Sequence, residues 1–293
     1  MSGRRALGAA LAVVALAVSG CSAQEEKQAS VEPSAAVTTG ATGAAHSTHA
    51  SAPPPKTAAD FVARARQALA AEKGWTFELR GSESATMRGQ APSGAGYTAT
   101  VHRTTDPVAL RQTGTVTTSK GERKPQAVYV VGGTGYVKDA GEGWKKGPLS
   151  DPDIADAVED PVADLDAFAV YARSATVSRT GDGTVRLEVS ASGWQLTAAR
   201  SRPALRRAVR EVEPTLAQLR GAGVTAADSQ ITLTAFTETW DLDAAHGYRP
   251  ASHRFAFTFL VPYRGGDITV KQEVRAGNRG LFAGHVALPS GAQ

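Results

Sequence analysis

Arg254-Phe-Ala-Phe-Thr-Phe-Leu-Val261 sets Phe255, Phe257, Phe259 and Val261 at every second position. Period two points these four side chains to one face of a β-strand, with Ala256 and Thr258 on the other. An aromatic strand face has to be buried, so the pattern demands a second layer. The same alternation opens the chain's apolar part at Trp75-Thr-Phe77-Glu-Leu79. It returns at Tyr97, Ala99 and Val101 and at Ile268, Val270 and Val274. Ile231 and Leu233 hold one parity, while Phe236, Trp240 and Leu242 hold the other. A one-residue slip of this kind predicts a β-bulge near Ala235.

Between these strands the period changes. Thr57-Ala-Ala-Asp60 predicts a helix N-cap, and Phe61, Ala65, Ala68 and Leu69 follow at helical spacing until Gly74. Residues 108–118 read as a strand, and residues 128–138 as a hairpin turning at Gly132-Gly133. Ile154, Val158, Val162, Leu165, Phe168 and Val170 predict one or two short helices broken near Pro161. Strands are expected at 175–180 and 184–190, then at Trp194 to Thr197. Leu205, Ala208, Val209, Val212, Leu216 and Leu219 mark a long amphipathic helix that Pro214 should kink or split and that Gly221 and Gly223 should end. Asp241 to Pro250 reads as a hairpin loop, and Val286 and Leu288 as a closing strand. No repeat of 20–50 residues occurs. Neighbouring strands in sequence usually pair. The expected fold is therefore α+β, a large antiparallel sheet with helices over one face.

Two segments precede this domain, which is placed at 57–293. Residues 1–20 begin with Arg4 and Arg5, followed by an apolar run from Ala6 to Val18. That run is shorter than the roughly 20 residues a spanning helix needs, and it fits a signal peptide. Val18-Ser-Gly-Cys21 resembles the lipobox of bacterial lipoproteins. The resemblance implies cleavage before Cys21, lipid on its thiol, and anchoring at the extracytoplasmic face of the cell membrane. Cys21 is the chain's one cysteine, so internal disulfides are excluded. Residues 21–56 are rich in Ala, Ser, Thr and Pro and have no aromatic residue. They are too poor in apolar surface to fold and are expected to be a disordered tether. The chain has 32 basic and 28 acidic residues. Without Arg4 and Arg5 the count is 30 against 28, and no basic block suggests nucleic acid.

A lipobox, a polar tether, a capped first helix and a Trp-Thr-Phe strand together resemble the LolA-like superfamily, in its LppX/LprG-type branch. The stretch Val128-Tyr-Val-Val-Gly-Gly-Thr-Gly-Tyr-Val-Lys138 with Trp144, the helical insert Asp151 to Ala175, and Trp240-Asp-Leu-Asp243 with Gly247-Tyr-Arg-Pro250 carry the likeness. It implies a curved half-barrel sheet around helices, with acyl chains held between them.

No His-Glu-x-x-His, Gly-x-Ser-x-Gly or Ser-x-x-Lys motif is present, and a non-enzymatic protein without cofactor is expected. Asp241-x-Asp243 lacks the twelfth-position Glu of a calcium loop, where Ser252 stands, so no metal site is expected. His46 and His49 are taken as solvated tether residues. His102, His246, His253 and His285 are scattered. Two features remain. Trp75, Phe77, Leu79, Phe255, Phe257 and Phe259 form either packed core or the wall of a groove for an apolar ligand such as a lipid. Arg202, Arg206 and Arg210, spaced four apart, form either a solvated helix face or a contact for anionic headgroups.

Overall fold

The structure is a computed structural model and describes residues 53–292. The signal peptide, the lipobox with Cys21 and most of the tether lie outside those residues.

Helix α1 (Ala58–Ala70) begins at the expected capping box. The Thr57 hydroxyl accepts from the Asp60 amide, and the Asp60 carboxylate accepts from the Thr57 amide. Six strands follow as a meander: β1 (Gly74–Met87), β2 (Ser93–Thr104), β3 (Ala109–Thr118), β4 (Arg123–Val131), β5 (Thr134–Asp139) and β6 (Lys145–Pro148). Two short helices, α2 (Pro152–Ala155) and α3 (Pro161–Ala169), lead to β7 (Thr176–Arg179) and β8 (Thr184–Ala191). A short β9 (Trp194–Gln195), helix α4 (Leu196–Ala199) and helix α5 (Arg206–Gly221) precede three long strands, β10 (Thr232–Asp243), β11 (Arg249–Tyr263) and β12 (Gly266–Leu281).

All the strand pairs are antiparallel. They form one sheet in the order β6-β5-β4-β3-β2-β1-β12-β11-β10-β8-β7, with β9 beside β10. The first and last strands of the chain pair in the middle of the sheet. The sheet is curved and does not close, since β6 and β7 remain as free edges. These edges are consecutive in sequence, so α2 and α3 carry the chain from one edge to the other across the inner face. The result is the α+β half-barrel with helices over one face.

The inner face is the apolar parity read from the sequence. Trp75, Phe77, Leu79, Phe236, Trp240, Phe255, Phe257 and Phe259 join Phe61, Leu165, Phe168, Leu205, Val212 and Leu216 of the helical side in one core cluster. Full burial of each large side chain is worth about 1.5–3 kcal/mol. The parity slip is a register shift between Leu233 and Ala235 opposite Phe259 and Thr258, where the sequence pattern placed it.

Three expectations need correction. Trp194 to Thr197 is a strand only over Trp194–Gln195. At Leu196 the chain turns into α4, which buries Leu196 and Ala199. Val286 and Leu288 belong to no strand and lie in the irregular segment that follows β12. Of the two outcomes expected at Pro214, a kink or a split, the split does not occur, and α5 runs unbroken to Gly221. The helix there is held by the buried Val212, Thr215 and Leu216. Its end is a Schellman turn: the Val224 amide donates to the Leu219 carbonyl at 3.0 Å and the Gly223 amide to that of Arg220 at 3.0 Å.

Candidate functional site

The six wall residues converge in space. Trp75, Phe77 and Leu79 of β1 and Phe255, Phe257 and Phe259 of β11 flank β12 on the inner face, and each is 3% exposed or less. Phe255, Phe257 and Phe259 meet edge to face in series at 5.9 and 5.6 Å, and Phe236 meets Phe255 at 5.7 Å. The Trp75 indole N–H donates to the Leu69 carbonyl at 2.9 Å, which ties β1 to the end of α1.

Beside this wall lies a feature the apolar pattern hides. Glu238 of β10, His253 of β11 and Gln272 of β12 occupy inner-face positions and are 5% exposed or less. Glu83 of β1 shares the inner parity of Trp75, Phe77 and Leu79. The helical side presents charges to match. Arg207 of α5 pairs with Glu211 at 2.6 Å, Asp164 at 2.7 Å and Glu159 at 3.3 Å. Its guanidinium carbon stands 4.5 Å from the centre of the Phe255 ring. Gln272 donates to Glu211. His253 Nε2 lies 3.0 Å from Glu238, and its Nδ1 lies 3.7 Å from Asp164. The Tyr171 hydroxyl also donates to Glu238, and Trp240 stacks on His253 at 4.0 Å. The Trp240 indole N–H has no hydrogen-bond partner among the described residues. Further along, Gln112 of β3 accepts from the Glu159 amide at 3.0 Å and donates to the Ala157 carbonyl at 3.1 Å. Helices and sheet therefore meet along a seam of buried ion pairs and hydrogen bonds.

Acids outnumber bases in this seam, and the proton affinities reflect it. Burial pushes Glu159 up to about 8. Arg207 pulls it down, while Asp164 and Glu211 push it further up. Burial, with Glu211 nearby, raises Glu83 to about 7. Burial alone would lower Arg207, but Asp164, Glu211 and Glu159 outweigh it and keep the guanidinium charged. Burial and the neighbouring Glu238 both raise the Tyr171 hydroxyl, which stays protonated.

The three arginines of the expected basic stripe are not one stripe. Arg202 precedes α5, and its guanidinium lies on the Trp194 ring, 3.2 Å from the centroid. Arg206 and Arg210 are on α5 and exposed. Arg210 reaches Asp156 and Glu211 only at 4.0 and 3.9 Å. The histidines do not gather either: His102 lies against Phe282, His246 on Asp243, and His253 in the seam. Among the described residues no group of three or more His, Cys, Asp or Glu is placed to hold a metal ion. No described helix is long and apolar enough to cross a membrane. Cys21 lies outside the described residues.

Sequence reasoning missed the seam. Its one visible signal was polar residues on apolar parity, at Glu83, Glu238, His253 and Gln272. Their partners from the helical side are far away in sequence, 61 positions for Gln272 and Glu211 and 89 for His253 and Asp164, and leave no local pattern.

No known family profile matches the sequence, and no curated protein does. Solved structures show distant likeness. A β-barrel-like protein of a domain of unknown function from Brucella abortus is 9% identical, covers 70% of this chain and 98% of its own, and has a TM-score of 0.24. A LolA superfamily protein from Nitrosomonas europaea is 11% identical, covers 78% and 96%, and scores 0.25. A porin-like protein from Bacteroides uniformis is 9% identical, covers 69% and 97%, and scores 0.18.

Proposed function

We propose that this protein is a non-enzymatic extracytoplasmic lipoprotein of LolA-like, LppX/LprG-type build. Lipid on Cys21 holds it to the cell membrane, and the domain takes an apolar ligand, a lipid chain, between the sheet and helices α3 and α5. The observation that carries this reading is the charged seam running beside the aromatic wall. An aromatic wall covered by a purely apolar helix face would be the tighter closure. Buried ion pairs often do no better than break even against apolar packing, because their desolvation is costly. Opening the seam returns Arg207, Glu159, Glu211 and Asp164 to water, which repays that cost. It also presents Phe255, Phe257, Phe259, Trp75, Phe77 and Leu79 to a ligand. Arg202, Arg206 and Arg210 would face anionic headgroups during loading.

Native mass spectrometry of the cell-purified chain tests the ligand. Co-purifying lipid, or uptake of added lipid, is expected. A chain that never carries lipid would end the proposal. Cys21→Ala tests the anchor: the protein should leave the membrane fraction, and continued sedimentation with membranes would contradict it. Neutralising Arg202, Arg206 and Arg210 should weaken binding to anionic vesicles at low salt.

One observation favours a second reading. The wall residues are all 3% exposed or less, as in a closed core, and a protein-interaction or envelope-sensing module would have such a core. Lipid-free protein that captures a specific partner on cross-linking would favour it.

A further inference from the structure

The opposite face of the sheet carries a row of arginines that packing does not explain. Arg80 of β1 is directly opposite Arg275 of β12, and Arg275 is directly opposite Arg254 of β11. Like charges set opposite one another across strands destabilise a sheet. Strands lie about 4.8 Å apart, so the row spans roughly 10 Å. A single carboxylate, Glu273, serves both Arg254 and Arg275. Arg80 has no ion-pair partner among the described residues.

Two positions along the strands, the next row runs Glu78, Gly277, Ser252, Asp241 and Arg186. At its centre the side chains shrink to Gly277 and Ser252. A Cβ added to Gly277 would meet nothing within 4 Å, so this glycine is not demanded by a close contact. It floors a notch. The notch has a volume of about 400 Å³, and its walls hold Arg80, Arg186, Arg254, Arg275 and Arg279 against Glu78, Glu188 and Asp241.

We infer that this outer notch is a binding site for a phosphate group of a soluble, phosphate-bearing polyanion. Guanidinium groups match phosphate oxygens in pairs, and the row offers three of them in line. The hydroxyls of Thr237 and Thr239 lie on the same outer face as further donors, while that of Ser252 donates to Asp241 at 3.0 Å. A flat anionic bilayer fits less well, because it would press its headgroups onto Glu78, Glu188 and Asp241 as well. The site lies on the face away from the aromatic wall and does not depend on lipid being bound there.

Calorimetric titration of the full chain carrying Cys21→Ala with tripolyphosphate at low salt tests the inference. Saturable binding is expected. Arg275→Gln should weaken it at least tenfold. Gly277→Val should fill the notch and abolish binding while thermal unfolding shows the fold intact. Neutralising Arg202, Arg206 and Arg210 together should leave the affinity unchanged. Absent or non-saturable binding would overturn the inference. So would unchanged affinity in folded Gly277→Val protein, or an equal loss on neutralising the other three arginines. Vesicles containing phosphatidylglycerol form the second arm. If Gly277→Val abolished vesicle binding and spared tripolyphosphate, the ligand class would be wrong.

Discussion

The aromatic wall and the charged seam lie side by side under the same helices, and their chemistry is opposite. The wall is Phe236, Phe255, Phe257 and Phe259, ring against ring, with Trp75, Phe77 and Leu79 in the same core cluster. The seam is Arg207 with Glu159, Asp164 and Glu211, and His253 with Glu238. The wall side chains are 3% exposed or less, whereas those of Arg207, Glu159 and Asp164 keep 14, 12 and 22%, and the two regions contribute differently. The wall stabilises through apolar area and close packing. In the seam, attraction is set against desolvation and the balance depends on every partner being present.

That contrast gives graded predictions. Phe255→Ala should cost the most, about 3–5 kcal/mol, as expected for a truncated core phenylalanine. Denaturant unfolding would measure it, and a cost under about 1 kcal/mol would mean the wall is not packed. Arg207→Met alone should cost about 3 kcal/mol, because it strands buried carboxylates. Adding Glu159→Gln and Glu211→Gln to it should recover most of the loss. A strictly additive triple variant would show that the seam behaves like the wall.

A weaker effect should appear with pH. Glu159 and Glu83 have raised folded-state affinities for protons, at about 8 and about 7, against an unfolded value of about 4.3. The folded chain therefore holds more protons than the unfolded one between these limits. The stability this gives is fully present below about pH 4.3 and is lost as pH rises through 7 and 8. Around Glu159 stand Arg207, Arg210, Asp164, Glu211 and Tyr97, and Glu211 faces Glu83. Asp182, held at about 2 by the Thr180 hydroxyl and the Thr184 amide, and Glu273, held down by Arg254, act in the opposite sense at the acid end. The melting temperature should fall from pH 5 to pH 9, and Glu159→Gln should flatten that slope. An unchanged slope in the variant would mean that Glu159 does not cause it. The smallest effect belongs to neither region. Thr57→Ala, which removes the α1 cap, should cost about 1 kcal/mol.

The wall was legible in the sequence and the seam was not, and the reason is physical. Alternation at Phe255, Phe257 and Phe259 or at Trp75, Phe77 and Leu79 is local, since each residue's orientation follows from its neighbours. The slip between Leu233 and Phe236 was legible for the same reason. Arg207 read as one more base beside an arginine stripe. Its burial depends on α5 lying over β11, and on α3 bringing Asp164 to it from 43 positions away. Trp194 to Thr197 looked like a strand because nothing local reveals that Leu196 and Ala199 must turn into the core. The stripe of Arg202, Arg206 and Arg210 assumed one continuous helix, whereas Pro203–Leu205 forms a separate 3-10 turn before α5.

On the function proposed above, lipid reaches the aromatic wall by way of the seam. Trp75 and Trp240 are built into the inner face and report on it directly. In the full chain carrying Trp144→Phe and Trp194→Phe, their fluorescence can be followed while a brominated fatty acid, a contact quencher, is added. Saturable quenching of both indoles is expected, reversed by excess unbrominated fatty acid. Emission that stays unchanged while the fatty acid is shown to bind elsewhere, or not at all, would contradict it.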